Sequence, residues 1–120
     1  MATILFVEDD QLMVRLYRRA LELEGYTLDF AGNGEEAMSK LASQSPPDLV
    51  LLDLRMPKID GLDVLSWIRK QETLADLPVI VLTNLQDKEE ESLKAGATLH
   101  LMKSEHSVDE VVASVRGLLE

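Results

Sequence analysis

No cysteine occurs among the 120 residues, so disulfides, thiol catalysis and thiolate metal sites are excluded. There are only two histidines, His100 and His106, too few for a histidine-rich zinc centre. Aromatic residues are 4% of the chain against 46% for all hydrophobic residues, so a core must be assembled from Leu, Val, Ile, Ala and Met. No apolar run approaches membrane-spanning length, and Met1 to Val7 is too short and uncharged for a signal peptide. Positive charge is also scarce. Lys and Arg number 12 against 22 Asp and Glu, a formal net charge of −10. Such a surface repels phosphate backbones and anionic lipid, and it attracts cations and basic partner surfaces. The expectation is a cytoplasmic protein that contacts neither nucleic acid nor membrane directly. The length suits one domain, and without repeats, low-complexity segments or linkers that domain is expected over residues 1–120.

Short apolar runs alternate with amphipathic stretches. Ile4-Leu5-Phe6-Val7 reads as a buried strand. Leu12, Arg15, Leu16, Arg19, Ala20 and Leu23 give a helix whose apolar face is expected inward and whose end is capped by Gly25. Thr27 to Ala31 is a half-polar strand, expected near an edge. Glu35 to Ala42 is a helix with Ala37, Met38 and Leu41 inward, and Pro46-Pro47 breaks it. Leu49 to Leu52 is the strongest buried-strand signal. Leu62, Val64, Leu65 and Ile68 lie on the next helix, and Pro78 precedes the strand Val79 to Leu82. A charged helix over Asp87 to Ala95 ends at Gly96, and Thr98 to Met102 is the fifth strand. Ser107-Val108-Asp109-Glu110 is a capping box opening a last helix with the stripe Val108, Val111, Val112, Val115, Leu118 and Leu119. Strand then helix, five times, implies an α/β fold with a parallel sheet covered on both faces.

In open α/β sheets, ligands bind beyond the carboxyl ends of the strands. There the chain places Glu8, Asp9 and Asp10 after the first apolar run, Asp53 after the third, Thr83 after the fourth and Lys103 after the fifth. If the first, third and fourth strands are neighbours, Glu8, Asp9 and Asp53 converge, and carboxylates that close need a compensating cation. Lys103 supplies one charge, and a hard divalent ion with oxygen ligands, Mg²⁺, would supply the rest. One carboxylate then serves as a nucleophile toward phosphorus, with the Thr83 hydroxyl donating to a phosphoryl oxygen. Any one of these residues alone has a plainer reading. Asp10 reads as a helix N-cap, for example.

Over essentially its full length the chain resembles the receiver domains of two-component response regulators. The matching pieces are Ile4 to Asp10, Leu51 to Gly61 with its Met56-Pro57 and Asp60-Gly61 turn, Val81-Leu82-Thr83, and Leu101-Met102-Lys103. The resemblance implies a flavodoxin-like, doubly wound, five-stranded parallel sheet of order 2-1-3-4-5 with five helices. It implies that Asp53 accepts a phosphoryl group from the phosphohistidine of a histidine kinase or histidine phosphotransfer protein. Mg²⁺ would be held by Asp9, Asp53 and the Arg55 backbone carbonyl, with Glu8 acting mostly through water, while Thr83 and Lys103 contact the phosphoryl oxygens. The phosphorylated state would then shift affinity for a downstream protein effector through the face made by the fourth helix, fifth strand and fifth helix. The chain would be a monomer or a weak phosphorylation-dependent dimer, and not an enzyme beyond intrinsic phosphotransfer and autodephosphorylation.

Three positions depart from the family pattern. Asn84 stands where Ala or Gly is common and narrows access to Asp53. His100 stands where an aromatic switch residue is expected. Ser104 replaces a proline, so Lys103-Ser104 is either trans with an altered loop or a strained cis bond costing about 2.5–4 kcal/mol. His100 is either a switch or sensor, or an ordinary half-buried strand histidine. Arg55 either reaches the phosphoryl group and tunes dephosphorylation, or is a solvated loop residue. Trp67 reads as packing, and His106 as a loop residue. Gly32-Asn33-Gly34-Glu35-Glu36-Ala37 matches a dinucleotide fingerprint, but its two glutamates would face a pyrophosphate, so a turn and acidic helix start is the better reading. Two rival functions remain. One is a receiver-like binding module that is not switched by phosphorylation. The other is a phosphatase, against which stands Arg55, placed where such enzymes typically carry a second acid.

Overall fold

The computed structural model describes residues 2–43, 45–56 and 59–120, so Met1, and Pro57 and Lys58 of the turn motif, lie outside the described residues. Elements alternate as β1 (Thr3–Val7), α1 (Gln11–Leu23), β2 (Thr27–Ala31), α2 (Gly34–Ser43), β3 (Leu49–Leu52), α3 (Gly61–Lys70), β4 (Val79–Thr83), α4 (Glu89–Ala95), β5 (Leu99–Met102) and α5 (Val108–Leu119). A single 3₁₀ turn at Glu72–Leu74, not anticipated from the sequence, follows α3. All strand pairings are parallel and the order is β2-β1-β3-β4-β5.

Strand alternation divides the interior in two. Leu5, Val7, Val50, Leu52, Val79 and Val81 point to one face, where they meet Ala37, Leu41, Val64, Leu65 and Ile68 of α2 and α3. Ile4, Phe6, Leu49, Leu51, Ile80 and Leu82 point to the other, where α1 and α5 bring Tyr17, Leu21, Val111, Val112 and Val115. With both faces covered, β3 and β4 are buried at every residue, which is why they read as unbroken apolar runs. Truncating one of these leucines to alanine costs about 2–5 kcal/mol. The weaker β2 does lie at an edge, as its half-polar composition suggested.

The face expected of α1 is wrong. Leu12, Leu16 and Leu23 are 68%, 50% and 79% exposed, while Tyr17 and Leu21 are buried with Met13 and Ala20 beside them. Successive helical residues turn about 100°, so Leu16 and Tyr17 compete for the inward position. Tyr17 takes it by setting its ring edge-on to Phe6 at 5.7 Å. The displaced leucines form an outward stripe beside exposed Arg15 and Arg19.

Helix ends follow local chemistry. Asp10 caps α1 by accepting from the Leu12 and Met13 amides, and Ser107 with Glu110 forms the reciprocal capping box of α5. Gly25 and Gly96 adopt positive φ beyond α1 and α4. The charged helix begins at Glu89 rather than Asp87, because Asp87 turns left-handed at φ +58° and cannot belong to a right-handed helix.

Candidate functional site

Parallel strands bring their carboxyl ends to one edge of the sheet. The Asp53 amide donates to the Val7 carbonyl at 3.0 Å, which locks the residue after β3 against the end of β1. The Lys103 amide donates to the Thr83 carbonyl at 2.9 Å, which does the same for β5 and β4. Glu8, Asp53 and Thr83 are buried, at 2%, 5% and 0% exposure, whereas Asp9 is exposed. These residues line a pocket of about 210 Å³ together with Asp10, Arg55, Asn84, Leu85 and Lys103.

Charge inside the pocket is unbalanced. Lys103 Nζ lies 2.6 Å from Glu8 Oε1 and 3.4 Å from Asp53 Oδ2. Carboxylate oxygens of Glu8, Asp9 and Asp53 lie within 4.8 Å of one another, the only such acidic or histidine cluster among the described residues. Burial pushes the Glu8 carboxyl up to about 7, and the Asp53 charge adds to the push while the Lys103 hydrogen bond opposes it. Burial works against the Lys103 ammonium as well, but its bond to Glu8 and the charge of Asp53 outweigh that and hold it above the usual lysine value. Three oxygen donors with one lysine as counter-charge suit a hard divalent cation. The Arg55 amide donates to Asp53 Oδ1 at 3.2 Å, leaving Oδ2 toward Lys103. Thr83 Oγ1 accepts from the Leu85 amide at 3.1 Å, so its hydroxyl hydrogen is available to a ligand in the pocket.

Comparison with known proteins gives this arrangement its family. The profile of the response regulator receiver domain matches residues 4–116. The chain belongs to the receiver domain family of response regulators. It is 40% identical over 122 residues to the DNA-binding dual master transcriptional regulator RpaA of Synechocystis, covering 99% of this chain but only 49% of RpaA. To the polar-differentiation response regulator DivK of Brucella anthropi it is 31% identical, covering 98% of this chain and 95% of DivK. Among solved structures it resembles response regulator TrrA of Thermotoga maritima in complex with Mg²⁺-BeF, with TM-score 0.87, 39% identity, and 98% and 99% of the two chains covered. The receiver thus spans about half the length of one curated relative and nearly all of another. Receivers of two-component systems operate between histidine kinases and downstream effectors. No helix among the described residues is long and apolar enough to cross a membrane.

Two of the receiver's three departures from the family pattern prove to be bonded to each other. Lys103-Ser104 is trans, and the Ser104 amide donates to Asn84 Oδ1 at 2.9 Å. His100 lies half-buried on β5 with Nδ1 2.7 Å from the hydroxyl of Ser92, a buried residue of α4. The Ser92 hydroxyl donates its hydrogen to the Glu89 carbonyl, so it accepts from a ring protonated at Nδ1. Burial lowers the His100 pKa despite the opposing Glu89 carboxylate, and the bond to Ser92 tethers the ring to α4. Ser92 was missed from sequence. Its three-residue spacing from Ala95 puts it on the inward face of α4, but nothing in the sequence names its partner.

Trp67, His106 and the glycine-rich decoy take plain roles in the receiver. Arg55 is exposed. Trp67 packs partly buried against the α2–α3 side of the core, and His106 lies in the turn before α5. In the glycine-rich decoy, the Gly32 amide is taken by Glu36 Oε1 at 2.7 Å and the Glu36 amide by Asn33 Oδ1 at 2.8 Å. Those two donors are committed within the loop and do not face a phosphate.

Proposed function

We propose that this receiver, acting as one unit over residues 1–120, takes a phosphoryl group onto Asp53 from the phosphohistidine of a histidine kinase or histidine phosphotransfer protein. The observation that carries the reading is the position of Asp53, buried in an open pocket whose lining includes Lys103, 3.4 Å from its Oδ2, and the clustered carboxylates of Glu8 and Asp9. A carboxylate oxygen of Asp53 attacks phosphorus, a P–O bond forms as the donor's P–N bond breaks, and the imidazole leaves with a proton. Lys103 offsets charge on the phosphoryl oxygens, and the free Thr83 hydroxyl hydrogen donates to one of them. Mg²⁺, held by Asp9, Asp53 and the Arg55 carbonyl with Glu8 acting through water, would neutralise the carboxylates and the incoming group. Asn84 and Ser104 at the rim, and Arg55 beside the acceptor, tune the lifetime of the product.

The signal leaves by protein contact rather than by chemistry on a substrate, so the chain is a regulatory element and not an enzyme beyond intrinsic phosphotransfer and autodephosphorylation. Thr83 and His100 belong to the read-out, a population shift on the α4, β5 and α5 face that a downstream effector senses. The chain works in the cytoplasm as a monomer or a weak phosphorylation-dependent dimer. Incubation with Mg²⁺ and acetyl phosphate is expected to add one phosphoryl group, detected by mass, and Asp53→Asn is expected to take none. Unchanged mass in the native chain, with no NMR shifts on adding beryllofluoride, would instead favour a receiver-like binding module that phosphorylation does not switch.

A further inference from the structure

The residues following the two phosphoryl-contacting side chains are tied together across the pocket mouth. Asn84 follows Thr83 at the end of β4, and Ser104 follows Lys103 at the end of β5. Two bonds close this seam in succession: the Lys103 amide to the Thr83 carbonyl at 2.9 Å, then the Ser104 amide to Asn84 Oδ1 at 2.9 Å. The second requires an amide hydrogen at position 104, which proline lacks, and a side-chain acceptor at position 84, which alanine and glycine lack. Lys103 is therefore held by a bond at its own amide and another at the next.

The placement of Lys103 matters because it is shared unequally. Its ammonium is 2.6 Å from Glu8 and 3.4 Å from Asp53. Backbone drift at the end of β5 would break the already long Asp53 contact first, leave the ammonium hydrogen-bonded to Glu8 alone and weaken the counter-charge at Asp53. We propose that Asn84 is a positioning residue, whose bond to the Ser104 amide keeps Lys103 within reach of Asp53 and so sets the maximal rate at which Asp53 is phosphorylated. This rests on the phosphoacceptor reading above.

The test follows phosphorylation at increasing acetyl phosphate in Mg²⁺, with thermal midpoints measured on the same proteins. Asn84→Ala and Ser104→Pro each remove one end of the bond. Each is expected to lower the maximal rate about two- to tenfold, the worth of one hydrogen bond, with half-saturating acetyl phosphate little changed and the thermal midpoint lowered by no more than about 2–6 °C, the same bond's worth. Ser104→Ala keeps the amide and is expected to behave as the conservative rescue, close to native. The double variant Asn84→Ala with Ser104→Pro is expected to be no slower than Asn84→Ala, because the bond can be lost only once. If Ser104→Pro does not fold, Asn84→Ala against Ser104→Ala decides. A native rate in Asn84→Ala overturns the proposal. So does a faster rate, which would make the side chain an obstruction. Additive losses, or losses that follow the thermal midpoint, overturn it as well. A native chain that takes up no phosphoryl group refutes the phosphoacceptor reading itself, whereas uptake with an indifferent Asn84→Ala refutes only the positioning role.

Discussion

Replacing Glu8 with glutamine removes a carboxylate that the fold holds protonated to a higher pH than water does. Its pKa rises from 4.5 to about 7 on folding, through burial first and then the charge of Asp53. Between those values the native chain keeps a proton that the unfolded chain has released. The stabilisation is therefore complete at low pH and is lost as pH rises through about 7. Between pH 5 and pH 8 this one group is expected to withdraw on the order of 2–3 kcal/mol from the metal-free protein. With an unfolding entropy of about 2.1 cal/mol/K per residue, that corresponds to about 10 °C in Tm. Other carboxylates titrate in the same range, so the quantity to follow is the difference between Glu8→Gln and the native chain. Glutamine still offers an oxygen to Lys103 but weakens that bond, which shifts the difference by an amount constant with pH. Thermal unfolding in EDTA at several pH values is expected to show Glu8→Gln gaining on the native chain steadily as pH rises. Saturating Mg²⁺ should shrink or reverse that trend, because a bound cation favours the ionised carboxylates and stabilises the native state by mass action. A Tm difference that stays level from pH 5 to pH 8 in EDTA would refute the reasoning.

Three other outcomes are expected. A Cβ added at Gly61 would lie 2.5 Å from the Leu54 Cα and 2.6 Å from the Asp53 carbonyl oxygen. Both contacts are backbone, so Gly61→Ala should destabilise by about 1–3 kcal/mol and slow phosphorylation of the displaced Asp53, read by denaturant titration and acetyl phosphate kinetics. Tyr17→Ala should cost about 3–5 kcal/mol in urea unfolding, whereas Leu16→Ala should fall within about 0.5 kcal/mol of native; equal losses would contradict the face assigned to α1. His100→Ala should leave Asp53 phosphorylation intact yet alter affinity for the effector, measured by titration with and without beryllofluoride; unchanged affinity would remove His100 from the read-out.

Much of this was legible in the sequence for a simple reason. In a doubly wound fold the buried strands are unbroken apolar runs, and the first polar residue after each run lies at the functional edge. Leu49 to Leu52 therefore announced both β3 and the place of Asp53. The strand order was available only through family resemblance, because nothing in five apolar runs says which pair. Periodicity failed on α1, where apolar residues lie on two faces and only the fit of Tyr17 against Phe6 chooses between them. The bonds that give the departures their sense, Ser104 to Asn84 and His100 to Ser92, join residues 20 and 8 apart. Each partner looks unremarkable alone.

The two walls of the pocket differ in how firmly they are built. Asp53 follows β3, which is buried at all four residues, and Lys103 follows β5, an edge strand that is half-buried at every residue. Elements with fewer buried contacts open and shift at lower free energy. When charge on Asp53 changes, the acceptor wall has little freedom to yield, and the compliant wall must accommodate the new charge. The pocket is a lever with one fixed jaw. Under the proposed phosphoacceptor role, packing density would direct displacement toward β5 and the helices beside it before any partner is met.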